Sequence, residues 1–315
     1  MSLRNSFYLF TIILIASCNN PSGREALFTF QKNDAGVELL EDGNPVFFYQ
    51  QAQKTLGGEY VCNNYIHPLY NLVGDTLTEE SPADHLYHRG IFWAWHQIYI
   101  NGQSIGDGWI MENISQEVAG LTTKIEGGSA ILDVKVLWES PNFNDNSAFI
   151  EEHTTIRVHK RRPDIRLVDF KISLKALAPG VEIGGSDNPK GYGGFCTRIK
   201  LPADLKFVSE GGQVTPQKLQ IKAGPWMDFS GSIGEKGSIT GLSILCHPTT
   251  PNYPAPWILR SKTSMQNIVF PGQERVEVPT GEPLVLRYRL VIHNGSADDI
   301  NISQLQEEYE KMKPD

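Results

Sequence analysis

Three long runs in the middle of the chain fix the class of fold before anything else is read. Residues 130–138, 148–158 and 165–174 read AILDVKVLW, AFIEEHTTIRV and IRLVDFKISL, apolar residues alternating with polar or charged ones. Side chains repeat every two residues only in an extended strand, so this period excludes a helix. The charged and polar residues interleaved with the apolar ones further mean that one face meets water, which is how antiparallel sheets are built and buried parallel ones are not. Shorter runs of the same kind occupy 28–30, 37–40, 46–50, 195–200, 206–208, 239–246 and 284–293. The segment Glu41-Asp42-Gly43-Asn44-Pro45 between two of them is a hairpin signal. A helical period occurs only in residues 303–312. The expected fold is therefore all-β, a large antiparallel two-sheet sandwich with a short C-terminal helix. No repeat of fixed period and no low-complexity linker divides residues 27–315, which are expected to form a single domain.

The first residues are of another kind. Arg4 precedes a short apolar run from Phe7 to Ala16, too short to span a bilayer as a mature helix. It ends in Ile15-Ala16-Ser17-Cys18, which resembles the bacterial lipobox. On that reading residues 1–17 are a lipoprotein signal peptide, Cys18 is the lipidated residue, and 18–26 tether the domain to the cell envelope, facing the periplasm. Two or more acyl chains suffice for stable anchoring. Of the remaining cysteines, Cys62, Cys196 and Cys246, at most two can pair, and none has zinc-type spacing. They are expected to be small core residues. A formal net charge of −8 gives no basic footprint, so nucleic acid is not an expected partner and the only membrane contact expected is through the lipid.

Residues 84–96, DHLYHRGIFWAWH, gather three histidines, an arginine and two tryptophans. A core strand gains nothing from imidazoles, so this density points to the wall of a site. The turn-rich stretch before it, residues 65–84, is predicted to be a structured loop that delivers His85 and His88. From Ile91 to His96 the alternation puts Trp93 and Trp95 on one face of a strand. Two further loops combine turn formers with titratable and aromatic side chains: residues 184–194, with Asp187, Lys190 and Tyr192, and residues 247–257, with His247 and Trp257. The glycines of the first lack the lysine and following helix of a phosphate loop. The three segments are expected to enclose one pocket.

These same segments carry a family resemblance. Tyr65-Ile66-His67-Pro68-Leu69-Tyr70, Leu77-Thr78, the block 84–95, Lys190-Gly191-Tyr192-Gly193-Gly194 and His247-Pro248 through Pro256-Trp257 resemble the signatures of the "methane oxygenase PmoA" family of sequence catalogues. That family is a domain of bacterial secreted proteins and lipoproteins, and the resemblance covers nearly the whole mature chain. Methane oxidation is nevertheless not expected. The membrane monooxygenase subunit of that name is a bundle of membrane helices, and this sequence has no apolar run of spanning length after Cys18.

An all-β envelope protein with tryptophans near His, Arg and Asp suits carbohydrate, because flat rings stack on sugar CH faces while polar groups fix hydroxyls. Sandwiches of the aldose mutarotase kind have similar strand content. His85, His88 and His96 are candidates for a catalytic acid, with Asp84, Asp187 or Glu151 as the partner carboxylate. Arg89, Trp93, Trp95, Lys190, Tyr192, His247 and Trp257 would bind substrate. No cofactor is required on this reading. The alternatives are a non-catalytic carbohydrate-binding module and a metal ion held by His85, His88 and His96, with His67 or His247 to complete a set. The anchor makes the first prediction: Cys18→Ser should abolish labelling by radioactive fatty acid and release the protein from membranes. Retention of that variant in the membrane fraction would refute the lipobox reading.

Overall fold

The computed structural model describes residues 28–234 and 237–313, so the leader, Cys18 and the whole tether lie outside the described residues. Two large antiparallel sheets face each other. In the first, eight strands run in the order Phe28–Lys32, Gly36–Glu41, Asn44–Gln50, Tyr65–Leu69, Ile91–Ala94, Gly194–Thr197, Gln266–Val269 and Trp257–Ile258. In the second, nine strands run in the order Ser115–Glu126, Ser129–Glu139, Ala148–His159, Ile165–Ala176, Leu284–Asn294, Thr240–Cys246, Trp226–Gly231, Lys206–Ser209 and Gly212–Gln213. A smaller sheet of Val276–Glu277, Val181–Gly184, Gln97–Ile100 and Gln103–Gly106 flanks them. No helix among the described residues is long and apolar enough to cross a membrane.

The alternating runs do what their period requires. Ala130, Leu132, Val134, Val136 and Trp138 enter the core between the sheets, as do Val168, Phe170, Ile172 and Leu174 two strands away. Asp133, Lys135, Lys171 and Ser173 lie on the opposite face of the same strands. The hairpin at Asp42-Gly43 has both residues at positive φ, 51° and 78°, the two-residue turn whose twist matches its strands. The helix Ile302–Glu310 starts at Asn301, whose side chain accepts from the Gln304 N–H. Its Ile302, Leu305 and Tyr309 pack on Ile165, Leu167 and Val291 of the second sheet. The stretch predicted to be all loop contains a strand, Tyr65–Leu69, which pairs with Asn44–Gln50 and touches Ile91. Cys62, Cys196 and Cys246 are buried free thiols, and burial pushes all three up in pKa.

One polar group sits at the centre of the sandwich. Glu152, with no exposed surface, accepts hydrogen bonds from Asn64 Nδ2 (3.0 Å), Trp93 Nε1 (2.9 Å), Trp138 Nε1 (3.0 Å) and Thr154 Oγ1 (2.7 Å). Tyr49 in turn donates to Asn64 at 2.8 Å. These donors come from both sheets, so the carboxylate ties the two layers in register. Burial raises its pKa while the four donors oppose that rise. Glu152→Leu should leave those donors without an acceptor and cost roughly 3–5 kcal/mol, read as a lower urea midpoint. Glu152→Gln keeps one oxygen and should cost less; equal stability of Glu152→Leu and wild type would refute the tie.

Candidate functional site

The segment 78–90 leaves the first sheet and returns to it. Bridges Thr78↔Ile199 and Glu80↔Arg89 hold its two legs, and the turns His85 N–H to Pro82 and His88 N–H to His85 fold its tip. Gly90, at φ 47°, lies so close to the Ile66 carbonyl that a Cβ would sit 1.9 Å from the oxygen, so only glycine lets the strand Ile91–Ala94 start there.

Arg198, buried in the adjoining segment, anchors the tip. It grips Asp84 through two parallel bonds, Nη1 to Oδ2 at 2.8 Å and Nη2 to Oδ1 at 2.7 Å, while Nε donates to Glu79. Asp84 Oδ2 also accepts the Ser264 N–H at 2.8 Å and lies 2.8 Å from His85 Nδ1. Burial alone would raise the pKa of Asp84, but the Arg198, His85 and Ser264 bonds outweigh it and hold the carboxyl well below its usual range. An ionised carboxylate can only accept, so His85 donates to it through Nδ1, and Nε2 is the ring nitrogen that Asp84 does not hold.

A second pair repeats this arrangement. His96 Nδ1 lies 2.7 Å from Asp107 Oδ2, and Asp107 Oδ1 accepts the N–H groups of Trp109 and Ile110. The rings between the two pairs are continuous. His85 stacks on His88 at 4.5 Å, His88 meets the edge of Trp109 at 6.0 Å, and Trp109 stacks on His96 at 5.1 Å. Tyr192 closes on both Trp109 and His96 at 5.0 Å.

A pocket of about 210 Å³ opens over this floor. His85, Tyr87 and His88 line it from one segment, Lys190 and Tyr192 from a second, and Arg260, Ser264 and Met265 from a third. None of its lining residues is an acid. Arg260 fixes its guanidinium on the carbonyls of Gln217, Leu259 and Lys218. His96 and Asp107 line a neighbouring pocket of about 340 Å³. Between them lies a concentration of unsatisfied groups. Among the described residues His88 Nδ1, Arg89 Nε, His96 Nε2 and Trp109 Nε1 are buried without a hydrogen-bond partner. Such a group costs about 1–3 kcal/mol, which structural cores avoid and ligand sites tolerate.

The sequence thus brought two of its three segments to one pocket and misplaced the third. His247 lies against the C-terminal helix, 5.1 Å from Tyr309, and lines a separate cavity on the second sheet. Trp257 is buried with Nε1 bonded to the Gly224 carbonyl; it is the residues just after it that reach the site. Trp93 and Trp95 share a face as predicted, but that face is the core, where Trp95 donates to the Phe270 carbonyl. The aromatic floor consists of Tyr87, Trp109 and Tyr192 instead. Asp187 is exposed beside Gln273 and does not line the pocket, and Glu151 lies on the second sheet paired with Lys135. Arg89 is buried over the Phe92 ring, its Nη1 donating to the Tyr87 carbonyl, so it supports the floor from below. Asp84 orients His85 and is itself fully engaged. For the metal alternative, His85 and His88 are parallel within 2° and do not converge, and His67 is bonded to Thr78. No three His, Cys, Asp or Glu side chains gather in ligating geometry among the described residues. Sequence reasoning missed Asp107, Trp109, Arg198 and Arg260; only the Gly106-Asp107-Gly108 turn carried a local signal.

Residues 36–307 match a family of unknown function, DUF6807, and the chain belongs to that family. A comparison with curated proteins gives no match.

The burial of His88 makes a prediction of its own. Burial first, then the charges of His85, Arg198 and Arg89, push this imidazole down to about 2. The unfolded chain therefore binds a proton near pH 6.5 that the folded chain refuses. The resulting stability is complete above that pH and declines below it, by up to about 1.4 kcal/mol per pH unit. His88→Gln should flatten that decline in urea titrations at pH 7, 6 and 5, and an unchanged slope would refute the assignment.

Proposed function

We propose that this protein is a lipid-anchored, periplasm-facing protein that binds a small sugar or sugar derivative and processes it by acid–base chemistry centred on His85. The observation that carries the reading is the His85–Asp84 pair, 2.8 Å apart, opening into a small pocket with tyrosines and cations but no acid in its lining. Asp84, kept ionised by Arg198, holds His85 in the tautomer whose Nε2 can take a proton from a hydroxyl. Asp84 stabilises the imidazolium that results, and the same ring then returns the proton to a leaving or ring oxygen. Tyr87 and Tyr192 offer flat faces to CH groups, and Lys190 and Arg260 offer donors to oxygen atoms.

The pocket is smaller than the roughly 300–1,000 Å³ typical of drug-sized ligands, which favours one sugar ring over an oligosaccharide. Its cations favour a ring with a carboxylate or another electron-rich oxygen. His88 stays neutral and supplies a packed backing for His85, since its pKa lies far below neutrality. Neither the fold nor the gathered side chains support methane oxidation, and that activity forms no part of this reading.

The test is titration calorimetry with neutral monosaccharides and uronic acids, followed by product analysis. His85→Ala should cost little stability, because the ring is partly exposed, while lowering turnover by roughly 10²–10⁴-fold. Binding without turnover in wild type would favour a binding module, and unaltered binding and turnover in His85→Ala would remove His85 from the mechanism.

A further inference from the structure

A second pocket, of about 590 Å³, lies at the edge of the sandwich between the hairpin at Glu41–Pro45, the loop 71–74 and the turn 160–166. Lys160, Arg161, Arg162 and Arg166 line it, with Glu41 and Asp42 as its only acids. Arg166 is 3% exposed. Its Nη2 donates to Glu41 Oε2 at 2.9 Å, but its Nε and Nη1 are buried without a partner among the described residues. Glu41 is already shared, since its Oε1 accepts the Arg161 N–H at 2.8 Å. Arg161 points its Nη1 at the Leu72 carbonyl. Asn71 accepts the N–H groups of Val73 and Asp75 through Oδ1, which leaves its own Nδ2 buried and without a partner.

Every unsatisfied polar atom in this lining is therefore an N–H donor. With Nη2 given to Glu41, the buried guanidinium keeps Nε and Nη1 open on its two different edges, and each can donate one N–H to an anion oxygen. Lys160 and Asp42 each have a partner in the structure, so the buried open donors are those of Arg166 and Asn71, with Arg162 exposed at the rim. We propose that this pocket is a phosphate-binding site, built on Arg166 and separate from the His85 pocket.

Two sources share that chemistry, a phospholipid headgroup and a soluble phosphate ester. The headgroup has support of its own. Phe28 pairs with Glu41, a residue of this lining, so the first described strand borders the pocket. Val73, another lining residue, is an apolar side chain 56% exposed at the rim. Phosphate binding itself does not depend on the sugar reading or on lipidation.

The experiment uses the full chain carrying Cys18→Ser, so that no acyl chain contributes. Inorganic phosphate is titrated by calorimetry, and vesicles of phosphatidylglycerol or of phosphatidylcholine are tested by co-sedimentation. Saturable phosphate binding is expected, weakened at least tenfold in Arg166→Lys, which keeps the charge but loses the fixed guanidinium donors, and several-fold in the surface variant Arg162→Ala. His85→Ala should leave it unchanged. Sedimentation with phosphatidylglycerol that both arginine variants weaken assigns the site to a headgroup, and phosphate binding alone assigns it to a soluble ester. No response to either probe, or a response that both variants leave intact, overturns the proposal.

Discussion

The carboxylate of Glu152 is the fixed point of this molecule. Four side-chain donors reach it from two sheets, so the sheets can slide against each other only by breaking those bonds in a dry core. Its grip on Trp93 matters most for function. Side chains alternate along a strand, so once Trp93 points inward to Glu152, Phe92 and Ala94 must point outward. Those two residues form the apolar bed under Trp109, and Trp95, turned inward again, leaves His96 on the outer side. One buried bond thus decides which half of the aromatic block packs the core between the sheets and which half faces the candidate site.

Above that bed the site is braced by hydrogen bonds. Each of its two aspartates spends its oxygens on neighbours, Asp84 on Arg198 and Ser264, Asp107 on two backbone N–H groups, and each keeps one contact for a histidine. Neither is free to act as a reagent. What they supply is orientation, achieved when the chain folds, so that no reorganisation is needed when a ligand arrives. The cost appears as four buried polar atoms without partners gathered beneath the pocket.

The sequence was legible wherever one face of an element meets water. The strands Ser129–Glu139, Ala148–His159 and Ile165–Ala176 extend one or two residues beyond the predicted runs at most, because their charges mark the outer face. The Asp42-Gly43 turn was equally plain. The strand Ile91–Ala94 was also read, but not which of its faces is the core, because it is buried on both sides. Alternation there separates two faces without saying which is the core, so Trp93 and Trp95 looked like a sugar platform. The Tyr65–Leu69 strand was masked by turn formers on either side. Arg198 and Arg260 were invisible for a different reason. Arg198 meets Asp84 across 114 residues, and no local pattern encodes a contact at that separation.

Charge gives the final link from sequence to recognition. A net charge of −8 would suggest a protein that repels anions, yet both pockets turn cations toward a ligand. The two facts agree once each carboxylate is followed to its partner. At the first pocket Asp84 is consumed behind His85, and at the second Glu41 is consumed between Arg161 and Arg166. The acidity that remains is spread over the outer surface, where it acts at a range of about 8–10 Å under physiological salt. A small oxygen-rich ligand that fits inside a pocket is shielded from most of that field and meets the donors directly. An extended polyanion would have to lie across the acidic surface to reach the same groups, so on the proposed readings the enclosure of the donors, rather than net charge, decides what fits.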